Sequence, residues 1–521
     1  MRGPTQEHGF TIPWLVGLLM LVGLLHGMTM AIVRPMLQVS DEVAYLSTAQ
    51  KQALAELPPG APETRCVAPE GRPLVDPGRM GKVLYRSTAA WLLRRFAGPS
   101  CSPARSALLL RLCFALTLPL VVWLVWRLAR ALAPDNPLVE LGAPAIAAFH
   151  PVFVSYQAGV TFDAIANVAA IGAVWLAVRF AMGDGRWWEP VLMALAAACA
   201  IGFKDTTYFL GALLPIAWMS RLAMRAATSN ATAIGMVRRD PWLITFPLAA
   251  LVAAAAMSAM PAAAGALRTP YLSMTSPATW ERLGGVRDLA AGSIAELFQQ
   301  LPSYVHTFWG SLGNFGGNVV ELPESARYGL YLSCAVALVG LLRAALLPPV
   351  DVTRESLVRT WSGGAVLAAG LALVTLQGPV RQIVLGTADT MQGRWLFPMF
   401  GAVAVAIPAG LGAFVRAPGR FLPLVSVLLA TYAVGAMFFV IVPHYYLELV
   451  PPVYREGGLW LLGSYGRGAD PARLLAFVRA VQDARPDWLV PASLGVWLAA
   501  LGVWLVMVWR FTLDLATKPE I

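Results

Sequence analysis

Charge is the scarcest commodity in this chain of 521 residues: 13% are Asp, Glu, Lys or Arg, against about 25% in an ordinary soluble domain. With 58% hydrophobic residues and a mean hydropathy of +0.63, that scarcity excludes a soluble globular protein and indicates a helical membrane protein with many spans. Cysteine and histidine are also few, five of each. Cys113, Cys199 and Cys334 lie in apolar runs and read as small hydrophobes. No spacing of cysteines and histidines forms a zinc signature. Cys66 and Cys101 share the first long loop and are a disulfide candidate if that side is oxidising. The formal net charge of +10 comes without any cluster of basic and aromatic residues. Most arginines fall between apolar runs, so the excess reads as a topology signal and not as a nucleic-acid interface. No internal repeat is visible, which argues against a transporter built from two related halves.

What is present is a series of apolar runs. At about 20 residues per crossing, with shorter or tilted segments allowed, the sequence predicts an all-α integral membrane protein of about twelve transmembrane helices. They fall at 13–33, 106–130, 140–155, 163–181, 190–203, 206–220, 242–260, 328–347, 362–377, 395–413, 421–442 and 489–510. The first run is too long for a signal-peptide core and lacks a cleavage site, so it reads as a retained span. Arg127 with Arg130, Arg179 with Arg186, Arg221 with Arg225, and Arg416 with Arg420 fall on one common side of the spans. The positive-inside rule makes that side cytoplasmic and puts both termini there. The long loops 34–105, 261–327, 378–394 and 443–488 fall on the other side, the periplasm if the membrane is a bacterial inner membrane. In the first loop, Glu42 to Leu57 and Val83 to Phe96 have helical amphipathic spacing and read as helices lying in the interface plane. Residues 1–420 are expected to form a catalytic region and 421–521 a C-terminal set of helices.

The residues that could carry chemistry gather on the long-loop side. Asp41 and Glu42 follow the first span directly, beside a low-dielectric wall where a carboxylate can act as a general base toward an acceptor hydroxyl. S-D-E before an amphipathic helix is equally an N-cap with first-turn acids, and the two roles are compatible. Asp163 opens a span after a short turn that also holds His150 and Tyr156. The two latter are hydrogen-bonding candidates for a substrate or interface residues. Lys204 and Asp205 interrupt an apolar stretch. A phosphate ligand on the outer face and a local pair that lets the hairpin turn both fit. In T-M-Q-G-R-W-L-F-P, Gln392, Gly393 and Arg394 precede a span; an arginine fork at a helix N-terminus suits an anionic lipid phosphate, and an interfacial arginine reads the same way. His306, Trp309 and Asn314 lie in a loop of aromatics, glycines and amides, a composition that suits sugar stacking.

Three of these stretches occur in a meaningful order: P-M-L-Q-V-S-D-E-V-A-Y at 35–45, F-W-G-S-L-G-N at 308–314 and Q-G-R-W-L-F-P at 392–398. The set resembles the GT-C superfamily of membrane glycosyltransferases. Within it the likeness is to a bacterial branch of unassigned membrane proteins related to the aminoarabinose and protein mannosyl transferases. The resemblance implies a GT-C fold and transfer of a sugar from a polyprenyl-phosphate donor to a periplasmic glycan, lipid or protein acceptor. It makes Asp41 the catalytic aspartate, Asp163 the second acidic residue, and Lys204 and Arg394 contacts to the donor phosphate. Ser40 replaces the branch's proline, Tyr45 its histidine, and Asn314 an aromatic. Some enzymes of this fold use a divalent metal such as Mg or Mn and others use none; Asp41, Glu42 and Asp163 are the carboxylates available for one. A polymerase or ligase of lipid-linked oligosaccharides would share the donor chemistry. A transporter or flippase is the alternative from a different class.

Overall fold

The computed structural model describes residues 11–34, 42–56, 83–96, 102–184, 186, 188–228, 314–315, 320–321, 324–347, 353–385, 393–415, 417–443, 476, 480 and 483–517. Its helices are α1 (Ile12–Val33), α2 (Glu42–Ala55), α3 (Val83–Phe96), α4 (Pro103–Ala115), α5 (Leu118–Leu132), α6 (Pro137–Phe149), α7 (Pro151–Gln157), α8 (Asp163–Ala181), α9 (Glu189–Phe203), α10 (Phe209–Thr228), α11 (Glu324–Leu346), α12 (Arg354–Leu385), α13 (Phe400–Gly412), α14 (Leu422–Gly435) and α15 (Leu489–Thr517). Short 3₁₀ turns at Asp205–Thr207, Gly393–Met399 and Pro418–Phe421 join some of them, and a π-helical turn, Ala436–Ile441, extends α14. Among the described residues, the structure is helical apart from a two-residue antiparallel ladder, Asn314 opposite Glu321 and Phe315 opposite Val320.

Among the described residues, eight helical segments are long and apolar enough to cross a membrane, nine if the bent pair α6 and α7 is one span. The chain is an integral membrane protein. The expected span at 242–260 lies outside the described residues. The expected 206–220 span is displaced: a 3₁₀ turn follows Lys204, so α10 starts at Phe209 and runs on to Thr228. The 362–377 segment is the middle of the much longer α12.

Proline sets many of the helix starts. It occupies the first or second position of α1, α4, α5, α6, α7, α9 and α14, where its missing N–H would be unpaired in any case. The break between α6 and α7 has the same origin. Pro151 holds His150 in an extended conformation (φ −67°, ψ 106°). The Nδ1 of His150 then accepts the N–H of Phe153 at 3.2 Å, and the axes diverge by 63°.

Burial separates central from peripheral helices. In α8, 72% of the best apolar window is buried, whereas for the spans 327–346 and 489–517 the figures are 11% and 17%, so α11 and α15 expose most of their surface to lipid. Where α11 meets α13 the backbones touch: a Cβ on Gly340 would run into the carbonyl of Gly410, and one on Gly410 into the carbonyl of Ala337. Small residues permit such a crossing.

A second, smaller core sits at one end of the bundle. Tyr45, Leu46 and Ala49 of α2, Tyr85, Ala89 and Leu93 of α3, and Leu110 and Phe114 of α4 pack with Val160, Ala164 and Phe203. The two amphipathic helices thus cover the bundle end, with Leu84 and Trp91 of α3 left exposed. Glu56, just beyond α2, pairs with Arg94 of α3. Hydrogen bonds from Gln52 and then Arg94 hold its carboxyl below the usual carboxylate value.

Candidate functional site

The end covered by α2 and α3 gathers charged side chains that are distant in sequence. Glu42 is fully buried. Its Oε1 accepts from Arg111 Nε at 2.9 Å and from the Val160 N–H at 3.0 Å, and its Oε2 from an Arg111 Nη at 3.4 Å. The other Arg111 Nη donates to the carbonyls of Ala31 (3.1 Å) and Arg34 (2.7 Å). These carbonyls end α1, where the last turn has no intrahelical donors and the helix dipole is negative. Arg485 donates to the carbonyl of Ile32 in the same turn. Arg34 itself reaches the hydroxyl and carbonyl of Ser155 in α7. Arg111 therefore ties the exit of α1 to the start of α2.

Asp163, at the first position of α8, is fully buried and paired with Lys204, which is 2% exposed. The lysine ends α9 and reaches across the chain. Its ammonium also lies 5.7 Å from the ring centroid of Phe162, against which Tyr45 (4.5 Å) and Tyr85 (6.1 Å) pack edge-on. The Asp163 N–H is received by Thr161 Oγ1 at 3.2 Å, and Asn167 donates to Gln157 at 3.2 Å. Burial, and secondarily the Glu42 charge, pushes the Tyr85 hydroxyl well above its ordinary value. That hydroxyl has no hydrogen-bond partner among the described residues.

Of the sequence-predicted site residues, the structure thus brings together Glu42, Tyr45, Asp163 and Lys204. Asp41 is bonded to Glu42 but lies outside the described residues, as do Gln392, His306, Trp309, Cys66 and Cys101. Arg394 falls in the 3₁₀ turn before α13 and Asn314 in the short ladder; only their backbone is described. His150 serves as the cap at the α6–α7 break, bracketed by the rings of Phe400 (5.1 Å) and Tyr432 (5.9 Å). Tyr156 packs on Phe397 at 5.6 Å. Both are interior contacts and not surface ones.

Sequence reasoning missed Arg111, Arg34, Tyr85 and the Gln157–Asn167 pair. Arg111 carried a usable signal, a charge well inside a predicted span and away from the arginines at its far end. A cavity of about 410 Å³ lined by Ala131, Met182, Asp184 and Arg359 lies at the opposite end and shares none of the site residues.

Among the described residues no group of three or more His, Cys, Asp or Glu is placed to hold a metal ion. The two described carboxylates of the site fit one poorly, since each faces a cation at hydrogen-bonding range. Fold and site together define an integral membrane protein with buried ion pairs at one end of its helices. Neither a family model nor a curated protein matches the chain. Among solved structures it is similar to ArnT from Cupriavidus metallidurans bound to undecaprenyl phosphate, at 16% sequence identity and a TM-score of 0.42, over 97% of this chain and 78% of that one.

Proposed function

We propose that the chain is a membrane glycosyltransferase of GT-C type that moves a sugar from a polyprenyl-phosphate donor to a hydroxyl of a glycan, lipid or protein acceptor in the periplasm. The observation that supports this best is the buried charge at the α2–α3 end: Arg34, Arg111, Lys204 and Arg485 against Glu42 and Asp163. Ionised groups at the edge of a membrane are expensive, and they commonly mark a site. An excess of cations there suits a lipid-linked phosphate.

In this reading Asp41 takes the proton of the acceptor hydroxyl as its oxygen attacks the anomeric carbon. The bond from that carbon to the phosphate oxygen breaks, configuration inverts, and polyprenyl phosphate leaves. Glu42 accepts from Arg111 and the Val160 N–H, so its role in this reading is to position Asp41. Asp163 orients Lys204, and Lys204 with Arg394 and Gln392 holds the donor phosphate, where fixed positive groups stabilise the charge that develops on leaving. Tyr45 and the loop bearing His306, Trp309 and Asn314 form the sugar side.

The test is release of polyprenyl phosphate by the purified protein in nanodiscs from a panel of polyprenyl-phosphate sugars. Asp41→Asn is expected to lower the rate by about 10²- to 10⁴-fold while the melting temperature stays unchanged. Full activity in Asp41→Asn, or no release from any donor by folded protein, overturns the proposal; the second result favours the transporter alternative.

A further inference from the structure

The opposite end of the bundle holds a charge arrangement that the glycosyltransferase reading does not use. The Arg127 guanidinium of α5 lies among three indoles, 5.6 Å from the ring centroid of Trp123, 5.9 Å from Trp126 and 5.2 Å from Trp175. Arg130, one turn on and exposed, lies 5.5 Å from Trp126. The charges that act on Arg127 are those of Arg179, Arg130 and Arg186, with Glu189 opposing them. Glu189 is already taken by Arg179, at 2.9 and 3.1 Å. The nearby carboxylate of Glu140 accepts instead from the Trp126 indole and the Asp135 N–H.

Other arginines at this end have acceptors: Arg221 donates to the Phe180 carbonyl at 2.7 Å, and Arg359 pairs with Asp184. Arg127 and Arg130 have aromatic faces and, among the described residues, no acceptor. Indoles occupy the face of a guanidinium and leave its in-plane N–H donors to be filled. On α5, Leu120, Trp123, Arg127 and Arg130 recur at helical spacing along one face, and Leu120 is 44% exposed. An apolar track therefore leads from the guanidiniums toward the middle of the bilayer.

We propose that Arg127 and Arg130, walled by Trp123, Trp126 and Trp175, bind the phosphate of an anionic phospholipid whose acyl chain lies along the Leu120 face. A lipid and not a soluble phosphate is the occupant, because the exposed Arg130 and the exposed Leu120 share one face of α5, so a phosphate held at the arginines has an apolar surface beside it for its acyl chain. The site is independent of the chemistry at the other end.

The experiment titrates the full-length protein in detergent with phosphatidylglycerol or phosphatidylcholine, reading bound lipid by native mass spectrometry and the melting temperature. The wild type is expected to retain phosphatidylglycerol in preference to phosphatidylcholine. Arg130→Gln and Arg127→Gln should each weaken that binding about fivefold, and Arg130→Gln, at an exposed position, should leave the melting temperature in phosphatidylcholine unchanged. Arg359→Gln, whose arginine pairs with Asp184 at the same end, should leave the preference within about twofold, since that pair lies outside the site. Equal retention of the two lipids, or equal losses in Arg130→Gln and Arg359→Gln, overturns the proposal. So does full displacement of the lipid by millimolar inorganic phosphate, which would make this a site for a soluble anion. Should Arg127→Gln unfold, the exposed Arg130 position still decides the matter.

Discussion

Arg111 makes hydrogen bonds to Glu42 and to two carbonyls at the end of α1, so its replacement leaves a buried carboxylate without its counter-ion. Arg111→Met is expected to destabilise the protein by about 3 to 5 kcal/mol, read from unfolding in detergent. The further change Glu42→Gln should recover part of the loss, because the stranded charge is then gone. A loss below 1 kcal/mol would show that the pair does not hold the site together. Tyr85 offers a pH test. Its proton is held more tightly folded than unfolded, so its contribution is intact below about pH 10, the ordinary tyrosine value, and declines as pH rises past it. Tyr85→Phe should make unfolding less sensitive to alkali above pH 10 and cost nothing at pH 7, since the hydroxyl has no partner among the described residues; an unchanged alkaline slope would remove Tyr85 as its source. At this scale the sequence made Glu42, Asp163 and Lys204 legible as charges in apolar surroundings. Their partners were not legible: Arg111 lies 69 residues from Glu42 and Lys204 41 from Asp163, and only the folded bundle fixes such pairings.

Among the elements, the amphipathic periodicity of the first loop located α2 and α3 closely, α3 to the residue, because each must bury one face on the bundle end. The α6–α7 bend falls inside the expected 140–155 span, which runs unbroken across His150-Pro151 in that expectation, and the capping role of the histidine was not legible either. A residue that could meet substrate and one that caps a helix have the same composition, and the difference lies in the backbone angles. Span ends were less legible where a 3₁₀ turn intervenes, as after Lys204, since such a turn keeps the composition of the helix it delays. The crossing of α11 and α13 depends on two glycines whose added side chains would meet backbone. Gly410→Val should therefore cost about 1 to 3 kcal/mol or more in unfolding measurements, and Gly435→Val, where nothing lies within 4 Å of the added carbon, much less. Equal effects would mean that helix propensity, and not the crossing, governs both.

For the whole molecule, the buried ion pairs lie at one end of the helices and the arginine–tryptophan group at the other. In a cysteine-free background, Leu84→Cys, exposed on α3, and Arg186→Cys are expected to react with a membrane-impermeant maleimide from opposite sides of sealed vesicles. Labelling from the same side would refute the sidedness assigned from the loop arginines. The Arg111 tie also bears on biosynthesis. Glu42 leaves the ribosome 69 residues ahead of its partner, so a nascent chain that has delivered α1 and α2 does not yet have the Arg111 link between them. That link waits for the next membrane segment, and a translation product cut short before residue 111 should present α2 without its Arg111 tie to proteases and quality-control factors of the compartment it faces.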